Sequence, residues 1–246
     1  MTQPQVTVRP PSGDLADRVA SAVDRLVGWL TRHWLALFNV VVAAFVGLPF
    51  AAPLLMHLGL EGPAHVIYLV YRPTCHQLPE RSFFLFGAQG VYSAAELETA
   101  GAIPAGLNLF QREMLRWIGN EALGYKIAIC ERDIAIYGSI LLGGLIFGLW
   151  RTRAAANRQC PKLPIKGYLL LLVPMLIDGA TQLVGLREST WTLRIITGML
   201  FGVATVWLAY PYVEEAMSDA ARAGRPVQSL PASQTAEQPG SAKSTP

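Results

Sequence analysis

Four long apolar runs constrain this chain more than any other feature. Residues 34–57, 134–150, 167–186 and 191–213 each contain at most one Asp, Glu, Lys or Arg. Each run approaches or exceeds the roughly 20 residues a helix needs to cross the hydrocarbon core of a bilayer. In lipid the backbone polar groups must be satisfied internally, which leaves helix as the form such runs take. Composition alone would not decide this, since 52% apolar residues is only the high end for a soluble chain; contiguity does. The fold class expected is all-α: a polytopic membrane helical bundle of about four spans. Two further apolar pieces, 64–71 and 82–91, are too short to span, and six spans is the alternative if they pair.

The remaining segments divide around these spans. Residues 1–13 read as a disordered start. From Asp14 to Leu30, Leu15, Val19, Val23, Leu26, Val27 and Leu30 recur at helical spacing while Asp17, Arg18, Asp24 and Arg25 fall elsewhere on the wheel. That pattern predicts an amphipathic interfacial helix leading into the first span. The membrane helical domain runs over 34–217, and 218–246, rich in Pro, Ser, Gln, Thr and Ala, reads as a disordered tail. Helix-like stretches near 93–99 and 107–118 suggest a small extracytoplasmic helical cap. The first apolar run is too long and too far in to be the core of a signal peptide.

Orientation follows from "RTRAAANRQCPKLPIK", residues 151–166, with five Lys/Arg and no acid in a short connection. Such loops stay in the cytoplasm. Both termini are then cytoplasmic in a multi-pass protein of the cell membrane, and the long segment 58–133 lies outside. The net charge of +3 is small and dispersed, which excludes a nucleic-acid partner. The lipid bilayer is the expected partner.

On this topology the unusual side chains gather on the outer side. Asp178 sits inside the third run, with Gln182 one turn further on. Arg187 and Glu188 form the outer turn, Arg194 enters the fourth span, and Arg132 stands at the mouth of the second. Ionisable groups within spans mark function or pair with one another, so Asp178, Arg132, Glu188 and Arg194 are the candidate catalytic cluster, with Asp178–Arg194 a possible ion pair. Helix glue is the plainer account of the same residues. The pairs Gly144/Gly148 and Gly198/Gly202 predict close helix packing.

Cys75 and His76 stand side by side in "RPTCHQLPERSFF", and Cys130 and Asp133 lie three apart at the start of the second span. Together they make a complete tetrahedral donor set for zinc or another divalent transition metal. The chain has three cysteines, so a Cys75–Cys130 disulfide is the alternative, which an outer compartment permits. A third is that neither forms. Cys160, in the basic connection, reads as a free cytoplasmic thiol.

The blocks "CHQLPERSFFLFG", "CERDIAIYG" and "DGATQLVGLRESTWTLRIITGMLFG" resemble the bacterial and archaeal membrane-protein family called domain of unknown function 2085. The resemblance covers about residues 75–202 and leaves an insertion at about 88–127 outside it. It implies that Cys75, His76 and Gln77, then Cys130 and Arg132, then Asp178, Gly179 and Arg194 are the family's marked positions. It also implies a second cysteine in many relatives where this chain has Asp133, an exchange that suits a metal site. The family name carries no activity.

Four functions stay open. The first is a membrane metalloprotein, in its sharper form a metal-dependent enzyme on a lipid or amphiphilic substrate. There Asp178 or Glu188 would act as base and Arg132 or Arg194 would hold an anionic head group. The others are a small transporter or channel component with Asp178 and Arg194 lining a path, a thiol–disulfide redox protein, and a structural subunit of a membrane complex. No HExxH helix, P-loop or nucleophile elbow occurs.

Overall fold

A computed structural model describes residues 14–153, 161–184 and 186–223. The expected disordered start, most of the tail and Cys160 lie outside the described residues. Among these residues seven α-helices form: α1 (Asp14–His57), α2 (Glu61–Tyr71), α3 (Ala94–Thr99), α4 (Leu109–Met114), α5 (Glu131–Arg153), α6 (Ile165–Leu183) and α7 (Trp191–Ala223). Three short strands, β1 (Phe84–Leu85), β2 (Gly119–Asn120) and β3 (Gly124–Lys126), complete the order.

The described residues fall into two units, one of residues 14–32 with 218–223 and the other of residues 33–217. In the first, Leu15, Val19, Val23 and Leu26 are exposed along the helix. The expected interfacial helix and first span are one uninterrupted helix of 44 residues. No proline occurs between residues 14 and 48, so nothing there breaks the hydrogen-bond ladder.

Among the described residues, three helices are long and apolar enough to cross a membrane: residues 15–57, 131–153 and 191–223. The third expected span, residues 167–186, forms a 19-residue helix, α6, but Lys166, Asp178 and Gln182 dilute its apolar character and it is not one of these three. The six-span alternative finds no support, because α2 has only 11 residues and α3 and α4 have six each. Large apolar side chains point outward on every long helix: Val40 and Val41 on α1, Leu145 and Ile146 on α5, Leu170 and Leu176 on α6, Val203 on α7. Lipid is the solvent that such faces require.

Two prolines in α1 build the platform for the site. Proline lacks an N–H, so the carbonyl four residues earlier loses its helical donor. Pro49 orphans Phe45, whose oxygen accepts the Tyr71 hydroxyl at 2.8 Å. Pro53 orphans Pro49, whose oxygen accepts the Ala128 N–H at 3.4 Å. One helix thus holds both chain segments that carry the cysteines. On the other side, α7 packs against α5 at Gly198, where an added Cβ would come within 2.9 Å of the Ala135 methyl. At Gly202 it would collide with Ser139 and the Ile136 carbonyl, so only glycine permits this approach.

Residues 84–126 form the cap. It carries the two expected helices, each opened by a capping box, Ser93 with Glu96 and Asn108 with Gln111. It also carries an unexpected antiparallel sheet of order β1-β3-β2. Strands of two or three residues have no readable periodicity. Their register depends on Gly124 at φ +81°, where a Cβ would strike the Leu85 carbonyl and Gly87. Phe84, Tyr92, Leu97 and Ile103 make the cap's own core.

Candidate functional site

Three consecutive residues at the start of α5 organise the site. Helical residues turn about 100° apart, so Glu131, Arg132 and Asp133 face three different neighbours. Glu131, fully buried, accepts from Arg194 Nη1 on α7 at 3.0 Å. The same nitrogen donates to the Glu80 carbonyl at 3.1 Å. Arg132 donates to Asp178 Oδ2 on α6. Asp133 turns to the cysteines.

Asp178 is 1% exposed. Besides Arg132 it receives Arg187 Nη2 on Oδ1 at 2.8 Å and Gln182 Nε2 on Oδ2 at 3.0 Å. The expected Asp178–Arg194 pair does not form; each has a different partner, because α5 lies between them and supplies both counter-charges. Both Asp178 oxygens already accept from cations. Glu188 is exposed and lines a cavity of about 860 Å³ beneath the cap.

The cysteines meet across 55 positions of chain. Cys130 caps α5: its carbonyl accepts from Ile134 N at 3.0 Å, and its own N–H donates to Cys75 Sγ at 3.1 Å. In a capping box the acid at the third helical position would take that N–H. Here Asp133 accepts instead from Cys130 Sγ at 3.2 Å. Cys75 is buried, and the Gln77 N–H also donates to its sulfur at 3.4 Å. Both thiols are free, and donor atoms of Cys75, Cys130 and Asp133 all lie within 4.8 Å of one another.

His76 is not part of this group. Its side chain is 75% exposed and its Nε2 lies 3.9 Å from Glu113. Neighbouring residues in non-helical chain point to opposite sides, so the inward turn of Cys75 sends His76 out. Gln77 fixes that turn with a left-handed φ of 52°, a conformation uncommon outside glycine. Its side chain donates to the Tyr68 carbonyl at 2.8 Å, and its own carbonyl accepts from Lys126 Nζ.

Electrostatics favour the protonated form of Cys75. The Cys75 thiol pKa is pushed up, first by its hydrogen bond with Cys130, then by burial and by the negative neighbours Cys130 and Asp133. Lys126 is pushed the other way, down to about 7, by burial. Two backbone N–H groups on the Cys75 sulfur favour thiolate, but they are outweighed.

A cavity of about 270 Å³ opens beside this group, lined by Cys75, Cys130 and Asp133 together with Arg81, Arg132 and Arg194. Sequence reasoning did not single out Glu131, Arg81 or Lys126 as site residues. Only the adjacency of Glu131 to Arg132 in "CERD" hinted at the first. Arg81 and Lys126 lie in turns and a short strand, where no periodicity assigns a face.

Apolar-faced helices joined at one end by buried ion pairs and a cysteine–carboxylate group define a polytopic α-helical membrane protein. Residues 121–208 match the family described as predicted membrane protein (DUF2085), and the chain belongs to that family. It is similar to uncharacterized protein MJ1492 of Methanocaldococcus jannaschii, 33% identical over 146 residues that cover 59% of this chain and 67% of that protein. It is also similar to an uncharacterized protein of Methanothermobacter thermautotrophicus, 34% identical over 80 residues, 32% of this chain and 67% of the other. No solved structure matches the chain. The family match includes Cys130, Asp133, Asp178 and Arg194; Cys75 precedes it.

Proposed function

We propose that this protein binds a divalent transition-metal ion, zinc foremost, through Cys75, Cys130 and Asp133. The observation that carries the reading is two sulfurs and a carboxylate oxygen within 4.8 Å of one another. All three are competent zinc donors, and three protein ligands leave the fourth tetrahedral position open. The group lines the 270 Å³ cavity, so that position would face space for a substrate. A dication also answers the electrostatics, since it favours the thiolates that the buried group otherwise disfavours. Held there, the ion would lower the pKa of a bound water and make it a nucleophile. The apolar outer faces of the bundle favour a lipid or another amphiphile as substrate.

Metal analysis of the purified full chain tests this. About one equivalent of metal per chain is expected for a single site. Cys75→Ser should bring it to background, while Asp133→Cys should keep zinc, because one competent ligand replaces another. Wild-type protein that takes up no zinc on titration would sink the reading. A dithiol–disulfide couple is the second reading that the same short separation favours. It requires the sulfurs to close to about 2.05 Å. A thiol count that changes with reductant and ignores chelator would select it.

We infer further that both termini face the cytoplasm and that the site opens on the other side of the cell membrane, from the basic connection 151–166. A membrane-impermeant thiol reagent applied to intact cells should miss Cys160; efficient labelling there would reverse the orientation.

A further inference from the structure

Three arginines line the 270 Å³ cavity: Arg81, Arg132 and Arg194. Each keeps a buried Nε–H with no acceptor. Glu131 Oε1 and Gln182 Oε1 are likewise buried without a donor, so the unmet polar atoms are of both kinds, and charge is what separates the three arginines. Arg132 and Arg194 have carboxylate partners in Asp178 and Glu131 through their terminal nitrogens. Arg81 differs: among the described residues no carboxylate pairs with it. Its neighbour Glu80 turns to Arg112, 3.6 Å away. Burial, and then the nearby Arg194 charge, hold the Arg81 guanidinium pKa below its usual value.

We propose that this cavity is an oxyanion site that takes a phosphate group, with Arg81 supplying a charge that no carboxylate pairs and Arg132 and Arg194 supplying further guanidinium donors. Water could fill the cavity but brings no negative charge for Arg81. A carboxylate presents two oxygens, whereas a phosphate presents three or more to donors on three different chain segments. Guanidinium N–H donors match that geometry well. The site lies beside the cysteine group but does not depend on it, since none of the three arginines is one of the proposed metal ligands. The shared chemistry is a phosphate, carried either by a lipid head group or by a free ion.

The test is protection of Arg81 from an arginine-selective dicarbonyl, read site by site by mass spectrometry on the full chain in detergent. Inorganic phosphate at constant ionic strength, dioleoyl phosphatidic acid and dioleoyl phosphatidylcholine are compared, each with and without chelator. Phosphate binding should slow modification of Arg81 at least about tenfold at saturation and leave exposed Arg116 unchanged. Protection by inorganic phosphate assigns a free ion. Protection by phosphatidic acid alone assigns a head group. Arg81→Gln should weaken phosphate binding at least about tenfold, and Arg81→Lys less, because it keeps the charge without the planar donors; Arg81→Lys decides the point if Arg81→Gln fails to fold. Lack of protection by either phosphate source, with or without chelator, overturns the inference. Survival of protection in chelator separates this site from the proposed metal.

Discussion

Two polar groups share the first turn of α5, and they are built in opposite ways. The ion pairs of Glu131 with Arg194, and of Asp178 with Arg132 and Arg187, set carboxylates against guanidinium groups across α5, α6, α7 and the turn between the last two. The Cys75–Cys130–Asp133 group gathers three acidic donors with no cation bonded to any of them among the described residues. The first arrangement is electrostatically closed and joins helices. The second is open, and openness is what binding requires. Position along the span, which made Asp178 look like the functional acid, does not distinguish the two; saturation of the partners does.

The largest effect that could break this contrast lies in the closed group. Glu131→Gln leaves Arg194 buried without its counter-charge, which should cost about 3–5 kcal/mol in a thermal or denaturant unfolding assay. Pairing it with Arg194→Gln should lose clearly less than the two single changes added together. The combination of Asp178→Asn with Arg194→Gln should come nearer to additivity. Strong coupling between Asp178 and Arg194 instead would mean that the two ion pairs act as one network.

The four apolar runs made the helical membrane architecture legible, and polar residues at one end of those runs marked where the site lies. Gly198 and Gly202 were legible as packing positions because small residues four apart have one common use in membrane helices. Pair assignments were not legible. Glu131, Arg132 and Asp133 are consecutive, and their partners depend on the rotation of α5 between α6 and α7, which is a tertiary quantity. The cap sheet escaped because strands this short carry no alternation. The two prolines of α1 read as interruptions, yet each frees a carbonyl that another segment uses. The partners of those carbonyls, Tyr71 and Ala128, could come only from the fold.

A smaller effect probes the open group through a buried cation that feels Cys75. Lys126, 2% exposed, has its pKa lowered from 10.5 to about 7. Between those values the unfolded chain binds a proton that the folded chain does not, so this residue makes stability rise with pH. The slope is at most about 1.4 kcal/mol per pH unit. Cys75 works in the opposite direction above its ordinary value of 9.0, so pH 7 to 9 is the useful window. Unfolding of wild type and Lys126→Met should differ by a positive slope there. Parallel curves would mean that Lys126 stays charged in the folded protein.

The smallest effect expected belongs to the residue that looked most like a ligand. Cys75 and His76 are adjacent, and adjacency of two good zinc donors invites the assumption that both bind one ion. The non-helical chain ahead of the left-handed turn at Gln77 sends them to opposite sides, with the sulfur facing Cys130 and the imidazole near Glu113. An exposed His–Glu contact at 3.9 Å contributes about 0–1 kcal/mol. His76→Ala should therefore leave metal content at the wild-type level and change stability by less than about 0.5 kcal/mol. Cys75→Ser, one position away, should empty the site. Metal lost from His76→Ala would show that the turn reverses when the ion binds and that the donor set has four members. Metal retained would leave the fourth position to water or substrate in the cavity that Arg81 also lines.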